Sequence, residues 1–186
     1  METSDAELVG LARSGDRDAL GALTERYQGR LLRVLVGMVR NPEDAKDIAQ
    51  DAFVRAFNNL QGFKGQSSFY TWLYRIAVNL VIDQQRREGR RRNSEFDETV
   101  ATDSPYVVDA TGRDPFARVR DAELVRKVKD AIDELTPDHR AVILLREVDG
   151  LSYKEISDVV GCSMGTVMSR LHYARKKLHE RLGRTL

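Results

Sequence analysis

LSYKEISDVVGCSMGTVMSRLHYARKKL, residues 151–178, spells two short helices across a tight turn. Ser152 followed three residues later by Glu155 is a capping box, so a helix is predicted from Tyr153 over Ile156, Val159 and Val160. Gly161 supplies the left-handed residue that closes it, and Ser163 can cap the next helix. In that second helix Val167, Leu171, Ala174 and Leu178 recur at i, i+4, i+7 and i+11, one apolar stripe that must pack on its partner. Gly165, Thr166, Ser169, His172, Tyr173 and Lys176 project from the other face, flanked by Arg170 and Arg175, giving hydrogen-bonding and cationic groups suited to a major groove. The bland alternative is a helical hairpin with a solvated basic face. Against it, residues 163–186 hold six Lys or Arg and one Glu, a charge block that favours phosphate contact.

A chain of 186 residues is compatible with one domain or two small ones, and a hydrophobic content of 41% suffices for packed cores. The net charge of +1 conceals segregation: residues 61–92 and 163–186 are basic, and 93–123 acidic. A lone cysteine, Cys162, cannot form an internal disulfide and is expected as a small buried packing residue in a reducing compartment. No apolar run reaches the ~18 residues of a membrane helix, and the N-terminus is polar, so a cytoplasmic protein without membrane insertion is expected.

Strand signals are nearly absent, and the fold class predicted is all-α: two small helical domains joined by a flexible acidic linker, the C-terminal one a helix-turn-helix. A short helix over Asp5–Arg13 precedes a longer one after Asp16, with Leu20, Leu23, Tyr27, Leu31, Val34 and Met38 on one face. Asn41-Pro42 starts the next, with Glu43 and Asp44 in the first turn where they suit the helix dipole. It buries Ala45, Ile48, Ala49, Ala52, Phe53, Ala56 and Phe57, and presents Asp47, Gln50, Asp51 and Val54 outward. The carboxylates of Asp44, Asp47 and Asp51 share a helical neighbourhood, so a magnesium site competes there with a solvated face and a docking surface; no metal and no cofactor are expected.

Residues 61–68, QGFKGQSS, form a loop that includes Phe63, Lys64, Ser67 and Ser68. The helix that follows has Phe69, Leu73, Ile76 and Leu80 as its core set, Trp72 at the border, and Thr71, Tyr74, Arg75 and Asn79 on the surface. Rings interleaved with basic and amide groups suit unstacked bases, while Arg86 and Arg87 open a run, RREGRRR, fit to grip duplex phosphates. Residues 93–115 lose all helical period and form the acidic linker between domains 1–92 and 116–186. In the second domain Leu124, Val128, Ala131 and Leu135 make one stripe, Thr136-Pro137 starts a helix, and Val142, Leu145 and Val148 face the core.

These strings also carry a family likeness. GTVMSRLHYARKKL resembles the promoter-reading helix of region 4 in bacterial extracytoplasmic-function sigma factors, with Met168 where that family often has Lys or Arg and Tyr173 where it usually has Arg. DAKDIAQDAFVRAF and FKGQSSFYTWLYRIAVN resemble region 2, and the likeness spans 16–92 and 116–182. It implies a protein that is no enzyme: it binds core RNA polymerase, directs it to promoters and helps open them. By that resemblance Asp47, Gln50, Asp51 and Val54 face polymerase, and Thr166, Ser169, Arg170, His172, Tyr173, Arg175 and Lys176 read the upstream element. Phe63, Lys64, Ser67, Ser68, Tyr74, Arg75, Asn79, Arg86 and Arg87 take the downstream element and the non-template single strand. An anti-sigma factor is the implied restraining partner.

Two rivals compete on the residues alone. A conventional helix-turn-helix regulator would bind duplex DNA unaided, but has no need of the aromatic loop and helix over Phe63–Asn79. A metal-dependent nucleic-acid enzyme would need more than scattered His139, His172 and His179 beside the aspartates.

Overall fold

A computed structural model describes residues 3–39, 41–92 and 115–183, and every regular element among them is helical. The helices are α1 Asp5–Arg13, α2 Arg17–Met38, α3 Pro42–Asn58, α4 Phe69–Arg92, α5 Pro115–Asp133, α6 Pro137–Glu147, α7 Tyr153–Val160 and α8 Met164–Leu182, with a 3₁₀ turn at Leu60–Gly62. The linker expectation lies outside the described residues save at Pro115, which belongs to α5.

Local chemistry sets most boundaries. Asp16 accepts the amides of Asp18 and Ala19 to start α2, and Asn41 accepts that of Glu43 to start α3 with Pro42 in its first turn. Ser4 and Glu7 form a full capping box on α1, drawing the Glu7 carboxyl below its usual range through the Ser4 hydroxyl. Helices α1–α4 then pack around Leu23, Leu31, Val34, Leu35, Ala45, Ala52, Ala56 and Leu73. Of the α3 set, Phe57 is only partly buried.

Helix α4 departs from expectation because it buries two faces. Phe69 and Leu73 enter the first core as predicted, but Tyr70, Thr71, Tyr74, Ala77, Val78 and Val81 are buried as well. Thr71 lies beneath Ser68, whose Oγ accepts the Thr71 amide at 3.0 Å. Tyr74, expected on the surface, is 0% exposed; its ring lies 4.3 Å from that of Tyr70 and its hydroxyl donates to the Arg30 carbonyl at 2.9 Å. The cover comes from the C-terminal helices, with α7 packing along α4 and α6 against α2.

Helices α5–α8 form the second unit. The helix-turn-helix follows its sequence signals: Ser152 and Glu155 make the capping box, Gly161 sits at φ +68°, and Ser163 accepts the Thr166 amide. Val167, Leu171 and Ala174 are buried, with Leu178 partly so. Cys162 is half-buried rather than enclosed. Helix α6 corrects a second expectation. Ala141, Val142, Ile143, Leu144 and Leu145 are all buried, since α6 packs at once on α2, α7 and α8, whereas Val148 lies past its end at 46% exposure. Leu124 stands 49% exposed; α5 buries Ala131, and Leu135 follows it into the core. Because Gly161 holds a conformation costly for an L side chain, Gly161→Ala should destabilise this unit by about 1 kcal/mol, read as a lower urea midpoint at unchanged slope.

Where the units meet, the seam is part apolar and part polar. A Cβ added to Gly37 of α2 would lie 2.9 Å from both Leu144 methyls, so α6 seats a leucine in the notch of a glycine. Arg140, 7% exposed, donates to the Met38 carbonyl at 3.3 Å and to carbonyls at the C-terminal end of α5. It thereby satisfies chain ends of both units, which buried carbonyls require. Asp149, between α6 and α7, keeps its side chain 2% exposed: Oδ1 accepts Arg30 Nε at 3.2 Å and Oδ2 accepts the Tyr70 hydroxyl. Burial, then the hydrogen bond to Asp149, pushes the Tyr70 phenol well above its ordinary value, so it remains a neutral donor.

Candidate nucleic-acid interface

Helix α8 carries the residues that the sequence assigns to groove reading. Ser169, His172, Tyr173 and Lys176 are exposed, Tyr173 at 59%. Thr166 is partly buried and shares in the cap, its hydroxyl 2.9 Å from Ser163 Oγ, so it sits where the helix N-terminus meets solvent. The two flanking arginines are engaged within the unit. Arg170 Nη2 meets Asp138 Oδ2 at 2.8 Å, tying α8 to the first turn of α6. Arg175 donates from Nε and Nη2 to Glu147 Oε1 at 3.2 and 2.7 Å, and that bond to Glu147 raises its already high pKa. Both partners of the Arg175 pair are about half exposed, where such a bridge contributes little to stability and a phosphate can displace the carboxylate. Arg175, His172, Lys176 and His179 line an open cleft of about 380 Å³ with Met168 and Tyr153. Tyr153 escapes a reading of α8 because it sits on α7; its place at the first helical position beside Ser152 is the available signal.

The loop before α4 divides differently from its sequence reading. Phe63 is 9% exposed, packed 5.1 Å from the Trp72 ring and edge-on to Phe69 at 6.2 Å, with its carbonyl accepting Arg13. It anchors the loop and does not present its ring to solvent. Ser68 is exposed but caps α4, whereas Lys64 and Gln66 stand free of the core and Gly65 turns the chain at φ +68°. Ser67 is half-buried. On α4 itself Arg75 and Asn79 are exposed, one turn apart, and Arg87 is exposed further along; the side chain of Arg86 lies outside the described residues.

On α3, Asp47, Gln50, Asp51 and Val54 form an exposed stripe, Val54 at 49% and Asp51 bridged to Arg55 at 3.0 Å. An apolar side chain ringed by carboxylates and an amide fits a protein partner better than a polyanion. Among the described residues no group of three or more histidine, cysteine or carboxylate side chains is placed to hold a metal ion.

Among the described residues the fold is all-helical, a helix-turn-helix joined to a second helical unit with its own exposed stripe. Residues 23–91 match Sigma-70 region 2 and residues 126–178 match Sigma-70, region 4. The ECF RNA polymerase sigma-E factor of Haemophilus influenzae is 36% identical over 185 residues, spanning 97% of this chain and 96% of its own. The RNA polymerase sigma-H factor of Pseudomonas aeruginosa is likewise 36% identical, over 97% and 95%. The solved structure of CnrH in complex with the cytosolic domain of CnrY superposes with a TM-score of 0.71 at 29% identity, over 96% of this chain and 97% of that one. The chain therefore belongs to the extracytoplasmic-function family of RNA polymerase sigma factors.

Proposed function

We propose that this chain binds core RNA polymerase, directs it to specific promoters and promotes strand opening, acting in the cytoplasm as an initiation factor and not as an enzyme. The observation that carries the reading is the pairing in one chain of a region 2 match and a region 4 match, in that order, across nearly the length of its relatives. A conventional duplex regulator accounts for α8 alone and leaves the region 2 match unexplained.

Residue by residue, polymerase docking falls to Asp47, Gln50, Asp51 and Val54, and upstream-element reading to Ser169, His172, Tyr173 and Lys176 with Thr166 at the helix start. Arg170 and Arg175 contribute through exchange of their carboxylate partners for phosphates. Lys64, Ser67, Arg75 and Asn79 take the downstream element, with Arg86 and Arg87 on flanking phosphates. Domain bounds of 1–92, 93–115 and 116–186 belong to the same proposal, with Pro115 moved into the second unit. A restraining anti-sigma partner is included, in keeping with CnrH, which is solved in complex with the cytosolic domain of CnrY.

Docking is tested by Asp47→Ala with Asp51→Ala. Both side chains are exposed and the Asp51–Arg55 bridge is worth only about 0.3–0.5 kcal/mol, so helicity should be retained. Removing each carboxylate should weaken core polymerase binding about five- to thirtyfold, the equivalent of about 1–2 kcal/mol. Co-purification with core equal to that of the unsubstituted chain would remove the assignment.

A further inference from the structure

We infer that Met164 and Met168 form an apolar strip on the flank of α8 that receives the C5-methyl of thymine, so that the duplex this chain prefers carries thymine, and not cytosine, where the strip lies. The two side chains are 49% and 50% exposed and stand four residues apart on one helix, which makes them neighbours on its surface. They belong to the first half of the second helix of a helix-turn-helix, the half that meets base edges when such a helix enters the major groove. Singly scattered apolar residues call for no explanation, but these two are adjacent, and Met168 lines the cleft whose walls also hold His172, Arg175 and Lys176. The carboxylates Glu147 and Glu180 are each paired with one of those cations, Arg175 at 2.7 Å and Lys176 at 4.0 Å. A cationic rim around an apolar strip fits a polyanion that carries methyl groups better than it fits an apolar protein face.

The polar groups beside the strip are turned inward. Thr166 Oγ1 lies 2.9 Å from Ser163 Oγ, Ser169 donates to the Thr166 carbonyl at 3.0 Å, and Arg170 is held by Asp138 at 2.8 Å. From Met164 to Arg170, the methionines are therefore the side chains that can meet a groove without first giving up a bond. Gly165 adds room between them: a Cβ placed there would lie 3.8 Å from Ser163 Oγ, an ordinary contact, so packing within the protein does not demand the glycine. The space its missing side chain leaves lies outside the fold, where a base edge can approach closely. Thymine alone among the four bases presents a methyl in the major groove, whereas cytosine presents an N4 donor that a thioether accepts only weakly. Methionine is unbranched and polarizable, so two of them can close around a methyl without a fixed rotamer.

The inference rests on the sigma-factor reading for the duplex it concerns, and the experiment keeps the two apart. Core RNA polymerase carrying the chain selects from a pool of randomised duplexes, and each thymine of the enriched upstream element is then replaced by deoxyuridine. That change removes the methyl and keeps the base pair. Deoxyuridine at one or two neighbouring positions should weaken holoenzyme binding about three- to fivefold each, the effect of one buried methyl. Met164→Ala combined with Met168→Ala should weaken binding to the thymine duplex by a similar factor and abolish the response to deoxyuridine at those positions. Both substitutions fall on half-exposed side chains, so circular dichroism should keep its helical amplitude. An enriched upstream element in which no thymine responds overturns the proposal, and so does a response that persists undiminished in the double alanine variant. If core with the chain enriches no sequence at all, the sigma-factor reading falls, and this proposal with it.

Discussion

Asn79→Ala combined with glycine replacement of Lys64, Gln66 and Ser67 should lower open complex on a duplex promoter about 10- to 100-fold, because the side chains proposed to offset a few kcal/mol of base unstacking are gone. Closed-complex formation should be largely unchanged, since α8 and the docking face proposed for α3 are untouched. The choice of positions follows from the structure. Phe63 is omitted because its ring is packed between Trp72 and Phe69, Ser68 because it caps α4, and Tyr74 because it is buried. Changing any of those three would confound strand opening with stability. A template with a pre-melted bubble already has its bases unstacked, so it should restore open complex to the variant. Permanganate reactivity of thymines on duplex and bubble templates reads both quantities, and a bubble that fails to rescue would place the defect elsewhere.

Replacing Ser169 or Tyr173 should redirect or weaken upstream-element use by about 5- to 150-fold, the equivalent of about 1–3 kcal/mol for each good base contact. These two side chains are exposed and unengaged by carboxylates, so the loss should be sequence-dependent. Arg175 should behave otherwise. It is held by Glu147 at 2.7 Å, so Glu147→Ala frees a cation beside the reading face and should strengthen binding to unrelated duplexes, with a steeper salt dependence. Stability should barely change, as the bridge is half exposed. Affinity measured across several salt concentrations on matched and scrambled duplexes separates these effects; a bubble template should not rescue the Ser169 or Tyr173 variants.

How far the fold is legible in the sequence depends on how local the chemistry is. Ser152, Glu155, Gly161 and Ser163 fix the helix-turn-helix by interactions within a few residues, and each does in the structure what its type and spacing imply. The stripe of Val167, Leu171 and Ala174 follows the same logic. Tyr74 and Thr71 read as surface residues because phenol and hydroxyl groups on a helix already furnished with an apolar stripe default there. What buries Tyr74 is a second unit whose key residue, Asp149, is 79 positions from Tyr70, and no periodicity in α4 encodes that distance. Helix α6 does contain a signal: AVILL is five apolar residues in succession within an 11-residue helix, more than one stripe can use. Such a run marks a helix covered on several sides, and it locates the seam. Phe63 is misplaced for a related reason, since a glycine- and serine-rich loop conceals the aromatic that pins it. The carboxylate partners of Arg170 and Arg175, on α6, are likewise invisible to a reading of α8 alone.

A chain of this kind must confer promoter choice on polymerase. Core RNA polymerase incubated with genomic DNA, with and without the chain, and followed by sequencing of transcript 5′ ends, tests that most directly. The expected result is a discrete set of new start sites that share an upstream and a downstream element, absent with core alone and lost with Asp47→Ala/Asp51→Ala. Start sites identical with and without the chain, while the chain binds duplex DNA tightly by itself, would contradict it.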